Sequence, residues 1–165
     1  MGEKRKRKDI LKLVVILVAV MAGTVLFLGA VSGWFSGPKL ALDEEYICSE
    51  DDPCDELMNI VYDEYENLIS DEGSFILFVD QDGCETADRL RGYVQDWAKE
   101  ARVRVYRIMF ADLKKTSLHE QVKYYPSVAM ISDGKVIDYL KADADGDAKK
   151  YNDYEVFRAW MLRHF

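Results

Sequence analysis

Few side chains in this sequence can carry covalent or proton-transfer chemistry, and they are scattered. There are three cysteines, Cys48, Cys54 and Cys84, and two histidines, His119 and His164, far apart along the chain. A hydrolytic triad or a His-based metal centre needs several such groups converging on one point. The cysteine spacing also matches no zinc motif, so neither metal nor cofactor is expected. Asp143, Asp145 and Asp147 alternate as in a calcium loop. Such a loop needs glycine at its sixth position and glutamate at its twelfth, and these are Ala148 and Tyr154 here, so a solvated acidic loop is expected. Cys84 remains as the candidate nucleophile, in a chemistry where the thiolate and not the thiol reacts.

The residues around Cys84 say how it is held. Phe75-Ile76-Leu77-Phe78-Val79 is a continuous apolar run, as a strand buried on both faces would have. Asp80-Gln81-Asp82-Gly83 is a polar turn. Cys84 then opens a helical pattern in which Ala87, Leu90, Val94, Trp97 and Ala98 share one face. A helix N-terminus favours a thiolate through its free N–H groups and macrodipole. Asp80, Asp82, Glu85 and Asp88 lie within four residues of Cys84 and oppose one.

Strand, turn, cysteine at a helix start, helix: this order resembles the active-site segment of the thioredoxin family. Cys84-Glu85-Thr86-Ala87 stands where the family carries Cys-x-x-Cys. The resemblance implies a thioredoxin-like α/β fold, a central mixed sheet flanked by helices, over residues 53–165. It implies that Cys84 holds the nucleophile position and Ala87 the buried second position. It also implies that Tyr125-Pro126, just before a strand, is a cis bond facing Cys84, so that Tyr125, Pro126 and Gly83 border a binding groove. Departures from the family are equally specific. Gly83 replaces the aromatic residue before the nucleophile, and Phe78 replaces a buried acid. With Ala87 in the second position, a mixed disulfide on Cys84 has no resolving thiol within the motif.

The remaining elements follow from periodicity. Asp52-Pro53 reads as a helix start, with Leu57, Ile60, Val61, Tyr65, Leu68 and Ile69 as its apolar stripe to about Ser70. Residues 103–110 read as a strand and 116–124 as a short helix. Residues 125–131 and 136–140 read as two strands joined by an Asp133-Gly134 hairpin. Asn152 and Glu155 form a capping-box pattern for a last helix with Val156, Phe157, Trp160, Met161 and His164 on its inner face. The order α-β-α-β-α-β-β-α gives a partly parallel sheet with an antiparallel edge. No confident counterpart of the family's first strand is present; Glu45-Tyr46-Ile47 is a poor one.

Charge and hydropathy divide the chain further. The net charge is -8. Residues 1–12 hold six basic residues against two acids, and the rest holds 16 basic against 28 acidic residues. A domain that acidic repels phosphate backbones, so no nucleic-acid partner is expected. Residues 13–35 are uncharged and, as a helix, would reach about 34 Å, enough to span a bilayer core of about 30 Å. The basic tail before them predicts an N-terminus in the cytoplasm and an extracytoplasmic domain at the cell membrane. A cleaved signal peptide is the competing reading. Residues 36–52 read as an acidic juxtamembrane linker.

Two functions fit these residues. One is thiol–disulfide exchange through the single nucleophile Cys84, with exported or membrane proteins as clients. The other is a redox-inactive binding or scaffold module that uses the same groove. Cys48 and Cys54, close in one turn-rich segment and outside the membrane by the topology above, are expected to bond to each other. Their bond is either a structural staple or a resolving partner for Cys84.

Overall fold

The computed structural model describes residues 38–49 and 51–165. The basic tail, 1–12, and the predicted membrane span, 13–35, lie outside the described residues. Among the described residues no helix is long and apolar enough to cross a membrane.

Five strands form one mixed sheet in the order β1-β3-β2-β4-β5. They are β1 (Met58–Ile60), β2 (Phe75–Asp80), β3 (Val105–Met109), β4 (Ser127–Ser132) and β5 (Lys135–Tyr139). β1 and β2 both run parallel to β3, while β4 lies antiparallel to β2 and to β5. The helices are α1 (Tyr62–Ser70), α2 (Glu85–Ala101), α5 (Tyr154–Met161) and two single turns, α3 (Phe110–Leu113) and α4 (Leu118–Gln121).

β2 is buried along its whole length because both sheet faces are covered. Side chains alternate across a strand, so Ile76 and Phe78 pack with Leu90, Val94 and Trp97 of α2 and Phe157, Trp160 and Met161 of α5. Phe75, Leu77 and Val79 face the other way, toward Tyr65, Leu113, Leu118 and Val122. The β4–β5 turn places Asp133 and Gly134 at φ 50° and 69°, the paired left-handed geometry of a tight hairpin. The helix-face residues expected to be buried on α2 are buried.

Three sequence expectations shift. The first helix begins at Tyr62 and not at Pro53, because Met58–Ile60 pairs with β3 as the first strand. Leu57 and Ile60 fit a helical spacing of three, yet they pack on opposite faces of the sheet. The last helix is capped by Asp153, whose carboxylate accepts from the Glu155 and Val156 N–H groups at 3.0 and 3.3 Å. Asn152 instead donates to the Ala148 carbonyl.

The third shift concerns the domain boundary. The compact unit runs from Pro38 to Phe165, so residues 38–52, expected as linker, belong to the domain. Leu40, Tyr46 and Cys48 are buried in it. The acidic loop, residues 143–147, spends Asp147 on its own backbone and on Lys150: its carboxylate accepts from Lys141 N–H at 2.8 Å and pairs with the Lys150 ammonium. Among the described residues no cluster of ligand side chains suits a metal ion.

Candidate functional site

Cys84 is the N-cap residue of α2, and its carbonyl accepts the first helical N–H, from Asp88, at 3.0 Å. Gly83, at φ 70°, turns the chain from β2 into that position; an added Cβ there would meet nothing within 4 Å. The glycine is therefore required by backbone conformation and not by space. Cys84 carries a free, partly exposed thiol. Ala87, one turn on, is fully buried.

Pro126 lies at the same end of the sheet. β2 and β4 are antiparallel with Val79 opposite Ser127, so the next step of the register sets Pro126 against Asp80. The chain thus leaves β2 toward Cys84 where it enters β4 from Pro126. The Tyr125–Pro126 bond is cis. The Pro126 carbonyl accepts from the buried Tyr151 hydroxyl at 2.9 Å. The Tyr125 hydroxyl donates to the Val122 carbonyl at 2.8 Å and accepts from His119 Nδ1 at 2.6 Å. Its ring lies against Phe110, with centroids 3.8 Å apart. Burial pushes the Tyr125 phenol up from its ordinary value. Its side chain is thus committed inward, while among the described residues the Tyr125 backbone N–H and carbonyl enter no backbone hydrogen bond.

The charges around Cys84 differ from the sequence expectation. Asp80 ends β2 on the α2 side of the sheet and is fully buried. Its carboxylate accepts from Arg91 Nε at 2.7 Å and Arg91 Nη2 at 2.9 Å, from Arg107 Nε at 2.6 Å, and from the Gln81 N–H at 2.8 Å. Burial alone would raise the Asp80 pKa; the two guanidiniums outweigh it and hold the carboxyl below the usual carboxylate range. The Asp80 contact in turn pushes Arg91 further up. Asp88 pairs with Arg91 at 2.9 Å and Glu85 with Arg89 at 3.1 Å. Of the four acids near Cys84, only Asp82 lacks a cationic partner among the described residues.

No local sequence pattern announces the Asp80 cluster. Its signal is parity: residues 76, 78 and 80 share a face, so an acid at 80 must meet whatever α2 places above it. Arg107 stands opposite Phe78 in the β2–β3 register, and its Nη1 also donates to Asn59 at 2.8 Å.

Cys48 and Cys54 are bonded to each other, with Cα atoms 5.8 Å apart. They sit at the other end of α2, where Cys48 N–H donates to the carbonyl of Arg102, the C-cap residue, at 2.9 Å. A helix of this length separates them from Cys84 by roughly 25 Å. An internal relay among the three cysteines is therefore closed to the folded domain.

The mixed five-stranded sheet with helices on both faces fits a thioredoxin-like α/β fold. The chain is similar to solved thioredoxin structures. A point mutant of thioredoxin from Halobacterium salinarum is 19% identical, with 64% of this chain and 94% of that one covered and a TM-score of 0.46. Oxidised thioredoxin from Plasmodium falciparum is 15% identical, covering 62% and 99%, with a TM-score of 0.45. Mitochondrial thioredoxin 3 from Saccharomyces cerevisiae is 15% identical, covering 59% and 94%, also with a TM-score of 0.45. No family model and no curated protein matches the sequence.

Proposed function

We propose that this chain is a membrane-anchored, extracytoplasmic thioredoxin-like protein that exchanges disulfides through one nucleophile, Cys84. The observation that carries the reading is the setting of that thiol: free, partly exposed, and at the N-cap of a 17-residue helix. Three of its four acidic neighbours are paired with arginines. The chemistry is a single displacement. The Cys84 thiolate attacks one sulfur of a client disulfide, a mixed disulfide forms, and the other client sulfur leaves as a thiolate. Ala87 offers no second thiol, so release requires a thiol from the client or from a separate dithiol partner. The anchor follows from the uncharged residues 13–35 behind a basic tail. Clients would be exported or membrane proteins; nucleic acid, metal and cofactor have no part in the reading.

The test is the rate at which Cys84 forms a mixed disulfide with oxidised glutathione, compared with free cysteine at the same pH. The expected result is a faster reaction that Cys84→Ser abolishes. A rate no greater than that of free cysteine overturns the exchange reading. Topology is tested separately: protease added to intact cells should digest the domain, and full protection would reject the extracytoplasmic placement.

One observation favours the second reading, a binding module without chemistry. Among the described residues the Tyr125 N–H and carbonyl enter no backbone hydrogen bond, which leaves both groups to pair with an extended peptide, as in strand addition. Peptide binding that survives Cys84→Ser unchanged, in a protein whose thiol reacts no faster than free cysteine, would establish it.

A further inference from the structure

We propose that the Cys48–Cys54 disulfide is a second thiol-exchange site, distinct from Cys84, which accepts electrons from an external dithiol in a cationic recess at the far end of α2. The two cysteines line a cavity of about 200 Å³, which Lys99 and Arg102 also line. Cys54 is partly exposed, whereas Cys48 is buried. An incoming sulfur therefore meets Cys54 first. Lys99 and Arg102 form no salt bridge among the described residues, and Asp55 is the single acid in the lining. The lining thus carries two cations against one acid, on a domain whose overall charge is strongly negative; Asp51 and Asp52 lie in the same cysteine-closed loop but outside the lining, and Asp52 is paired with Arg104.

Both steps gain from that charge. The attacking species is a thiolate, so two cations raise its local concentration. A thiolate also leaves, and a nearby ammonium or guanidinium stabilises it. The external thiolate bonds to Cys54 Sγ, the Cys54–Cys48 bond breaks, and Cys48 departs as a thiolate. The second thiol of the dithiol, deprotonated to solvent, then attacks its own sulfur in the mixed disulfide and displaces Cys54. Two electrons pass from the dithiol to the pair; Cys48 and Cys54 take up two protons from solvent, and the dithiol ends as a disulfide. The α2 C-terminus carries partial negative charge that opposes a thiolate here. Lys99, in the last helical turn, and Arg102, at the cap, are placed to offset it.

The site does not depend on Cys84, and the experiment is run on the full chain carrying Cys84→Ser so that the two readings fail separately. The native disulfide is reduced with either mercaptoethanesulfonate, an anionic thiol, or cysteamine, a cationic one. Rates are corrected to equal thiolate concentration, and folding is followed by circular dichroism. The expected result is reduction without unfolding, first order in thiol, with the anionic reagent faster by roughly tenfold at low salt. Lys99→Gln with Arg102→Gln should shrink that ratio toward one, and Lys99→Glu alone should lower it. Both side chains are exposed, so these variants should fold. The overall acidity of the domain would favour the cationic reagent; a preference for cysteamine therefore overturns the proposal. So does a reduction rate that is independent of thiol concentration and equals the rate of global unfolding, or an anionic preference unchanged by all three substitutions.

Discussion

A fully buried carboxylate persists in this domain because two guanidiniums meet it. Asp80 is 0% exposed, while the Arg91 and Arg107 side chains are 27% and 23% exposed. Water thus reaches the cations and softens the desolvation cost of the cluster. Removing the anion takes from both guanidiniums the buried partner they share, while Arg91 keeps Asp88 and Arg107 keeps Asn59, so Asp80→Ala should cost about 3 kcal/mol, the low end for breaking a buried pair. Denaturant unfolding at neutral pH measures it. The pH dependence has a definite sign. Asp80 has a folded pKa below its unfolded value, so its contribution is complete above the unfolded value of about 3.9 and fades as pH falls below it. Asp80→Asn should flatten the acid limb of the stability curve relative to the parent protein; an unchanged limb would remove Asp80 from the stabilising set. At this scale the sequence was informative where one residue carries its own signal. Cys84, Ala87 and Gly83 are legible from a turn and a helical face. The Asp80 cluster was not, because its meaning comes from Arg107 on a different strand, through a register that no local pattern contains.

Elements were legible where periodicity is long and misread where it is short. The 17 residues of α2 give several apolar repeats, and the expected face is the buried one. β1 has three residues, in an acidic segment where Leu57 and Ile60 are spaced as a helix would space them. Only the partner strand, β3, distinguishes the two readings, since a strand sends those residues to opposite faces. The β4–β5 hairpin is the reverse case, because Asp133-Gly134 specifies its own turn. Gly134 is under two constraints there. Its φ is 69°, and a Cβ would stand 2.7 Å from the carbonyl oxygen of Ile69, at the end of α1. Gly134→Ala should therefore destabilise by more than the ~1 kcal/mol usual for a left-handed glycine. Gly83→Ala, with a similar φ and open space, should cost only that amount. Equal losses in the two variants would show that the α1 carbonyl yields freely. The α5 cap belongs to the same scale: Asp153→Ala should cost about 1 kcal/mol, whereas Asn152→Ala should cost less, and thermal melts separate the two.

At the scale of the whole domain, the fold takes in chain that its sequence assigns to a linker. Residues 38–48 read as linker because they are short of periodicity and rich in acids, yet they are fastened across the domain at widely spaced points. Leu40 N–H donates to the His164 carbonyl at 2.6 Å, and the Pro38 carbonyl accepts from His164 Nδ1 at 3.0 Å. The Asp43 carboxylate accepts from Ser74 N–H at 3.0 Å, at the entrance to β2. Arg104 N–H donates to the Tyr46 carbonyl at 2.7 Å, and Ile47 bridges Val103, so the segment extends the sheet edge beside the start of β3. Tyr46 fills the core on the face opposite α2, edge-on to Tyr106 and against Phe75. Leu40 fills the other core, so one strap closes both sides of the sheet. Burying an aromatic and a leucine of this kind contributes roughly 3–6 kcal/mol together, comparable to the entire stability of a small domain. A fragment of residues 53–165, cut where composition shifts, should therefore fail to give a cooperative melt or dispersed amide resonances. A fragment of residues 38–165 should give both. Tyr46→Ala in the longer fragment should lose about 3–5 kcal/mol. If 53–165 folds as stably as 38–165, the strap is an accessory and the boundary drawn from composition is the physical one.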